Sequence, residues 1–428
     1  MTMNEMFSIH QIKKSILSAA VIVVLSTGVL FAQNGASLGL GGASTAIARG
    51  VEAVFWNPAN LAFLPPDSLN HEIRLWSLSF GAGNNSLSMD LIDEFGSKHL
   101  TEGDKDKILS EISDDDGLKI NLKVDANILA VRYRNVVVGF EAMALGEGSI
   151  PKTLFENVFR GLERRKYEYD TDGFGVGIGR FSASYGRIVA RNRKIVLPRN
   201  YGNIVITRMA VGVTASYIYG GGYARIEESR IIVENTPQGL NADIHILTRT
   251  SEGGSGIGFD LGFAAETQSG WQFGFAIDNV LGRVSWSDNN KEKTETIQFD
   301  DLFLGDFGDL EEEDYHTSED RPIGNFSYDL PRDSRIAVAK RFSKYYLGNV
   351  ELAREFGHMR FTLGGGVLLR YFQFYAAYGR HEGDNYFSGV IIFNFKYFVM
   401  DFGVRNRNGL TARSSKEISF ANSIRFAF

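Results

Sequence analysis

The chain has 428 residues, 12% of them aromatic and 22% charged, and its 47 glycines with only 8 prolines are typical of long β-strands. It contains no cysteine, which excludes disulfide scaffolds, thiolate metal sites and thiol nucleophiles. With 45 Lys and Arg against 51 Asp and Glu, the net charge is -6, which disfavours a nucleic-acid-binding surface.

The first predicted element is an export signal. Lys13 and Lys14 precede an apolar stretch from Ile16 to Phe31. A charged start, an apolar core of about 7–15 residues and a small residue at the cleavage site define a secretory signal peptide. We therefore predict a signal peptide over residues 1–32, cleaved after Ala32, with a membrane anchor as the alternative interpretation.

The next segment, residues 33–70, shows no strand-like alternation. It opens with the glycines Gly39, Gly41 and Gly42 and continues through small residues to an Asn-Pro-Ala turn. About 38 residues are too few to bury a hydrophobic core of their own. The segment must therefore pack against another part of the chain, unless it is a disordered tail.

From residue 71 onward, apolar and polar residues alternate with a period of two, as the side chains of a β-strand do. Trp271, Phe273 and Phe275 alternate with polar or small residues, and the C-terminal stretch 417–428 repeats the pattern with Asn422 as an exception. Fourteen strands are predicted: 71–82, 118–133, 136–149, 173–189, 204–219, 252–266, 271–286, 334–343, 345–356, 359–370, 372–380, 386–396, 397–406 and 417–428.

These strands favour a membrane barrel over a soluble sandwich. Their length of about ten residues suits a tilted strand that crosses a bilayer, and their polar faces suit a wet lumen. The even strand number fits a single-chain bacterial barrel. The aromatic end, with Phe426 and Phe428, resembles the signal that the barrel assembly machinery recognises. We predict an all-β protein, a 14-stranded antiparallel transmembrane β-barrel over residues 71–428 that contacts outer-membrane lipid.

The lengths of the connections give an orientation. If both termini are periplasmic, the long connections 83–117, 150–172, 220–251 and 287–333 lie outside, and only one of the inside connections, 190–203, is long. The outside connection 287–333 is strongly acidic, which indicates either a solvated loop or a site for cations or a basic partner. The predicted export signal and barrel together indicate localisation in the bacterial outer membrane.

The second outside connection contains a predicted amphipathic helix over residues 151–166. Its apolar face presents Leu154, Phe155, Val158, Phe159 and Leu162. This face is a candidate entry site that collects a lipid-like ligand at the barrel mouth. Packing against the barrel rim or another loop is the alternative.

No catalytic or metal-binding constellation stands out in the sequence. Gly35-Ala36-Ser37-Leu38-Gly39 fits G-x-S-x-G, but that motif requires a strand before it and a helix after it. The histidines lie singly, without H-x-x-x-H spacing. We therefore expect no enzyme activity, no cofactor and no catalytic or metal site.

The run GLGGASTAIARGVEAVFWNPANLAF, residues 39–63, resembles the hatch of the long-chain fatty-acid transporter superfamily of outer-membrane proteins. The match includes Asn57, Pro58 and Ala59, whereas Asn60 stands where many members carry glycine. The resemblance implies that residues 33–70 form an N-terminal hatch inside the lumen. Fourteen strands enclose a lumen too wide for wall side chains alone to fill, which agrees with this arrangement.

The resemblance also implies two functions. One is passive uptake of a hydrophobic small molecule through a hatch-gated lumen. The other is the binding of exported proteins through the extracellular loops, because the superfamily includes the outer-membrane shuttle protein of type IX secretion and related Bacteroidetes-type barrels. The first outside loop, residues 100–117, is similar to that second branch. A purely structural barrel is a third possibility, since one fold hosts many functions.

Overall fold

The computed structural model describes residues 35–63, 70–96, 98–196, 203–302, 315–355, 357–381, 383–395 and 397–428. The predicted signal peptide lies outside the described residues. Among the described residues, no helix is long and apolar enough to cross a membrane. The described chain consists of an N-terminal segment, residues 35–63, followed by an antiparallel sheet of nineteen strands.

Helices occupy the N-terminal segment and the first two long connections. The segment contains α1 (Gly35–Gly39) and two 3₁₀ helices, Gly50–Phe55 and Pro58–Ala62. The connections contain α2 (Met89–Phe95), α3 (Glu102–Glu111) and α4 (Lys152–Arg160). The prediction of a helix over 151–166 was wrong in its length, because α4 ends at Arg160 and the following Gly161 has a φ of 89°.

The strands that follow account for most of the described chain. In order they are β1 His71–Asn84, β2 Leu118–Tyr133, β3 Val136–Ile150, β4 Lys166–Tyr169, β5 Asp172–Val196, β6 Asn203–Asn235, β7 Leu240–Ser251, β8 Gly253–Thr267, β9 Trp271–Asp288, β10 Lys291–Leu302, β11 His316–Pro322, β12 Phe326–Asp329, β13 Asp333–Arg341, β14 Tyr346–Glu355, β15 His358–Leu368, β16 Phe372–His381, β17 Asp384–Phe395, β18 Phe398–Arg407 and β19 Glu417–Ala427.

Fourteen of these strands close into a barrel. The neighbours around the ring are β1, β2, β3, β5, β6, β8, β9 and then β13 to β19, all antiparallel, and β19 pairs back onto β1 with Phe420 opposite Phe80. Closure leaves no free edge in the barrel wall, so every backbone amide and carbonyl can be paired where water is absent. The predicted 14-stranded antiparallel barrel is confirmed.

The apolar face of the strands is the outer face of the barrel. Phe361 and Leu363 are 44% and 52% exposed, and Phe420 is 52% exposed. Asn422, the exception in the C-terminal alternation, accepts a hydrogen bond of 3.2 Å from the indole of Trp76 on the neighbouring strand. An outer band of apolar and aromatic side chains is the surface that a bilayer requires.

The strongest departure from the predicted topology lies beyond one end of the barrel. Residues 220–251 and 287–333 were predicted as loops, but they contain the upper half of β6, all of β7, β10, β11 and β12. The order β4-β6-β7-β10-β11 forms a sheet, here called the outer extension, that continues from the barrel. Its strands carry many charged residues, as in β10 and β11, and lack the long series of large apolar residues on one face that marked the barrel strands, which is why the prediction failed.

Charged pairs link the strands of the outer extension. Arg249 donates a 3.0 Å hydrogen bond to Glu292, and Arg321 donates a second one to the same carboxylate. The hydrogen bond from Arg321, and after it the one from Arg249, lowers the pKa of Glu292 below its ordinary value. Ion pairs of this kind fix the register of a polar sheet more than they stabilise it.

Candidate functional site

The N-terminal segment lies against the inner wall of the barrel with very little space between the two backbones. A Cβ atom added at Gly212 of β6 would lie 2.2 Å from the amide nitrogen of Ala59. One at Gly274 of β9 would lie 2.4 Å from the carbonyl oxygen of Thr45. Glycine is the residue that allows so close an approach, so these wall positions are shaped to the segment.

Asn57 joins the segment to the wall. Its side-chain amide donates to the carbonyl oxygens of Thr45 at 3.1 Å and of Phe263, on β8, at 2.9 Å. Its side-chain oxygen accepts from the amide of Ala59 at 3.1 Å and so caps the 3₁₀ helix that begins at Pro58. Asn57 is fully buried, and its hydrogen bond to Phe263 ties the Asn-Pro-Ala turn to the barrel, while the other two hold the segment together.

The glycine-rich start of the segment is held by donors from the opposite part of the wall. Gly41 and Gly42 adopt φ values of 63° and 81°, which side chains with a Cβ rarely adopt. Arg360 and the hydroxyl of Tyr386 both donate to the carbonyl oxygen of Gly41, at 2.8 and 3.0 Å. Ser388 donates to that of Gly39 at 3.0 Å. The carbonyl oxygens of Gly39 and Gly41 thus accept hydrogen bonds from side chains of the wall, and Gly42 follows them in a left-handed conformation.

Buried ion pairs surround these contacts. Arg360 lies 2.8 Å from Glu351 and 2.9 Å from Glu355, and Glu351 also accepts from the amide of Thr45 at 3.1 Å. Arg335 pairs with Asp278 and donates to the carbonyl oxygen of Trp56 at 3.1 Å. The guanidinium groups therefore hold the wall and the segment together at two separate points.

Asn57 and Asn60 provide a matched test of this docking. Asn60 is equally buried, but its amide donates only to Thr45, at 2.9 Å, within the segment. We expect Asn57→Ala to raise ion conductance through the barrel about tenfold. Losing a buried hydrogen bond costs about 1–3 kcal/mol and so favours states in which the segment has left the wall and ions can pass. Single-channel recording in planar bilayers measures this, with Asn60→Ala as the control. Equal conductance of the two variants would contradict a docking role for Asn57.

A second feature of the inner wall was not predicted from the sequence. Most inward-facing residues are polar, but one region near the outer extension is apolar and closely packed. It is called here the upper apolar cluster. Its buried members are Met143, Leu145, Val176, Ile178, Ile218, Tyr223, Val284, Trp286 and Leu330, and Phe174, Phe326 and Tyr328 pack against them. The cluster spans β3, β5, β6, β9 and β12.

Trp286 is the largest member of the cluster and is fully buried. Added Cβ atoms at Gly220 and Gly254 would lie 2.5 and 3.1 Å from Trp286, so these two glycines make room for the indole. The ring of Tyr223 lies 5.4 Å from that of Trp286, and the ring of Phe326 lies 5.1 Å from that of Tyr223. The result is a closely packed aromatic core at the inner wall, whose central members, Trp286 and Tyr223, are buried in this structure.

On the side away from the outer extension, the cluster borders a charged layer formed by β3, β5 and β8. Arg180 of β5 is 3.1 Å from Asp260 of β8 and 3.9 Å from Glu141 of β3. On β5, Ile178 and Arg180 are successive inward-facing residues. The inner wall therefore changes from charged to apolar between one inward-facing position and the next. That change of character at inward-facing positions is the sequence signal that could have revealed the cluster.

The predicted entry residues on α4 lie elsewhere. Phe155 and Phe159 pack against a cluster in the first connection that includes Phe95 and Ile108, while Val158 is 56% exposed. Leu154 and Leu162 are half-buried. None of the five belongs to the upper apolar cluster. The structure therefore places α4 on the neighbouring connection, which was the alternative to a freely exposed apolar face.

The C-terminal aromatic residues lie at the seam where the barrel closes. The ring of Phe426 is 5.3 Å from that of Phe398. Phe428 exchanges backbone hydrogen bonds of 3.0 and 3.1 Å with His71 and has a half-exposed side chain. Their role as an assembly signal stays a prediction.

The acidic connection offers no cation site in the part of the chain that is described. Within the described ranges, no group of three or more His, Asp or Glu side chains could hold a metal ion. Several of its acidic residues, including Asp306 and Glu312, lie outside the described residues. Ser37 of the G-x-S-x-G pattern is buried in α1.

No protein-family model and no curated protein sequence matches the chain. Solved structures do match it. The toluene transporter TbuX of Ralstonia pickettii has a TM-score of 0.50 and 12% identity over 93% of this chain and 99% of that chain. The toluene transporter TodX of Pseudomonas putida has a TM-score of 0.50 and 8% identity over 94% and 99%. These likenesses show that the chain has the same barrel fold as these two transporters.

Proposed function

We propose that this protein is an outer-membrane channel for the passive uptake of a hydrophobic small molecule. The observation that carries the proposal is the upper apolar cluster on the inner wall. A channel for water-soluble solutes has a polar interior, whereas an apolar solute needs apolar surface along its path. Eleven apolar or aromatic side chains on five strands, with Leu330 just after β12, form that region next to the outer extension. They pack against one another in this structure, so an apolar ligand would bind by separating them.

The comparisons support the same class of ligand. TbuX and TodX are described as toluene transporters, and toluene is a small apolar molecule. Because one fold hosts many functions, this support extends to the class of hydrophobic compound and to no particular one. In the proposed orientation both termini are periplasmic, the outer extension is extracellular, and the ligand enters from that side past α4.

In the proposed mechanism the N-terminal segment is the hatch that closes the lumen. A ligand that leaves the upper apolar cluster meets the charged layer of Arg180 and then the buried segment itself. Passage requires the segment to move away from at least part of the wall, beginning with the hydrogen bond from Asn57 to Phe263. The signal peptide over 1–32 and a hatch reaching from 33 to 70 complete the proposed organisation.

The cluster can be tested through its own tryptophan. In a variant whose other tryptophans, Trp56, Trp76 and Trp271, are replaced by phenylalanine, we expect a brominated alkane to quench the fluorescence of the remaining Trp286, which is buried from the detergent. The double variant Ile178→Thr, Val284→Thr should weaken this binding about tenfold or more, because a buried hydroxyl without a partner costs about 1–3 kcal/mol. Fluorescence titration gives the dissociation constants.

The matched control is Ile257→Thr, Val213→Thr, which makes the same chemical changes on the lipid-facing side, where both residues are exposed. Equal affinity in the two double variants would contradict a luminal binding site. The alternative function would be favoured if the purified barrel retained an exported protein and bound no alkane, and if the cluster substitutions did not change the amount of that protein retained. That alternative, docking of exported proteins, is supported by the projecting outer extension, whose edge strand β11 pairs with β10 on one side.

A further inference from the structure

A pocket of about 450 Å³ lies at the end of the barrel opposite the outer extension. It is formed between the turn that joins β13 to β14 and the turn that joins β15 to β16, and it is called here the rim pocket. Three cationic side chains line it: Arg341, Lys344 and Arg370. It is an open depression at the barrel rim, not an enclosed cavity.

The positive charge of the rim pocket is not neutralised. Arg360 and Arg335 on the inner wall each pair with a carboxylate, but within the described ranges Arg341, Lys344 and Arg370 form no ion pair, and no carboxylate lines the pocket. Lys344 and Arg370 lie instead over the rings of Tyr345 and Tyr371, 4.8 and 5.1 Å from their centroids. Such a pocket attracts an anion.

The walls of the rim pocket differ on its two sides. Leu369 and Tyr345 are each 45% exposed, and Leu369 follows the lipid-facing series of β15. Tyr375 on the other side points inward and packs near the N-terminal segment. The cationic mouth therefore meets apolar, lipid-facing surface at the level where a barrel's aromatic girdle meets the headgroups of a leaflet.

We propose that the rim pocket binds the phosphate group of a phospholipid from the leaflet at this end of the barrel. Arginine and lysine are the side chains that bind phosphate esters best, through charge-assisted hydrogen bonds. The acyl chains would lie along Leu369 and its lipid-facing neighbours, while the headgroup occupies the pocket. The site lies beside the N-terminal segment, but the inference does not depend on transport.

Native mass spectrometry of the detergent-solubilised protein tests the proposal. The probes are phosphatidylglycerol, a diacylglycerol with the same acyl chains, and inorganic phosphate. We expect retention of phosphatidylglycerol but not of the diacylglycerol. The triple variant Arg341→Gln, Lys344→Gln, Arg370→Gln should lower the apparent affinity for phosphatidylglycerol about tenfold or more.

The control is the triple variant Arg134→Gln, Arg187→Gln, Arg191→Gln, which removes three exposed cations from the same end of the barrel but outside the pocket. It should bind phosphatidylglycerol like the unmodified protein. Equal losses in the two triple variants would overturn the proposal, because general charge would then explain the binding. Inorganic phosphate that binds as tightly as the lipid would also overturn it. Unfolding midpoints confirm that both variants are folded.

Discussion

Replacing Arg360 with methionine should destabilise the barrel by about 3–5 kcal/mol, the cost expected when one partner of a buried ion pair is removed. Glu351 is fully buried, Glu355 has 16% of its side chain exposed, and both lie within 2.9 Å of the Arg360 guanidinium. Without that group the two carboxylates repel each other in a site of low dielectric. Gly41 also loses a hydrogen-bond donor of the wall. Denaturant unfolding of the protein in lipid vesicles measures the change.

Two further variants separate the ion pair from the loss of side-chain volume. Arg354→Met removes an exposed arginine from the adjacent strand and should change the free energy of unfolding by no more than about 0.5 kcal/mol. Adding Glu351→Gln to Arg360→Met should recover part of the loss, because one uncompensated charge is removed. If Arg354→Met and Arg360→Met destabilise equally, the buried network does not hold the barrel and segment together.

The barrel itself could be predicted from the sequence because lipid imposes a pattern. Residues such as Phe361 and Phe420 must be apolar where they face the bilayer, and their neighbours along the strand face a wet or packed interior. The pattern therefore fixed the number of strands and most of their ends within a few residues. The pattern gives no information beyond the lipid-facing part of a strand. For this reason β6 was predicted to end at residue 219, yet it continues to Asn235 after a bulge near Gly220.

The candidate site could be predicted only in part. The Asn-Pro-Ala turn was found through a resemblance, but the partner of Asn57 on the wall is the backbone carbonyl of Phe263, 206 residues away, and a carbonyl has no sequence signature. The upper apolar cluster was missed for a related reason. On a single strand, the change from Arg180 to Ile178 is a weak signal, and it becomes a cluster only when the pairing of several strands brings Ile178 and Val284 to one level of the wall.

Substituting Gly212 with alanine should open the lumen. The new Cβ atom would lie 2.2 Å from both the amide nitrogen of Ala59 and the carbonyl carbon of Pro58, and these backbone atoms cannot move aside without displacing the turn. Overpacking of this kind costs about 1–3 kcal/mol, which corresponds to a rise of about tenfold in the open fraction. The measurement is ion conductance in planar bilayers, with a variant lacking residues 35–63 as the fully open reference.

Gly222 on the same strand provides the control, because a Cβ atom there would have no neighbour within 4 Å. Gly222→Ala makes the same chemical change to β6 and should leave the conductance at the level of the unmodified protein. The comparison separates displacement of the segment from a general effect of alanine on the strand. Equal conductance in Gly212→Ala and Gly222→Ala, with both variants folded, would show that the Pro58–Ala59 turn does not close the lumen. A large rise in Gly212→Ala alone would identify backbone contact between wall and segment as what keeps the channel shut.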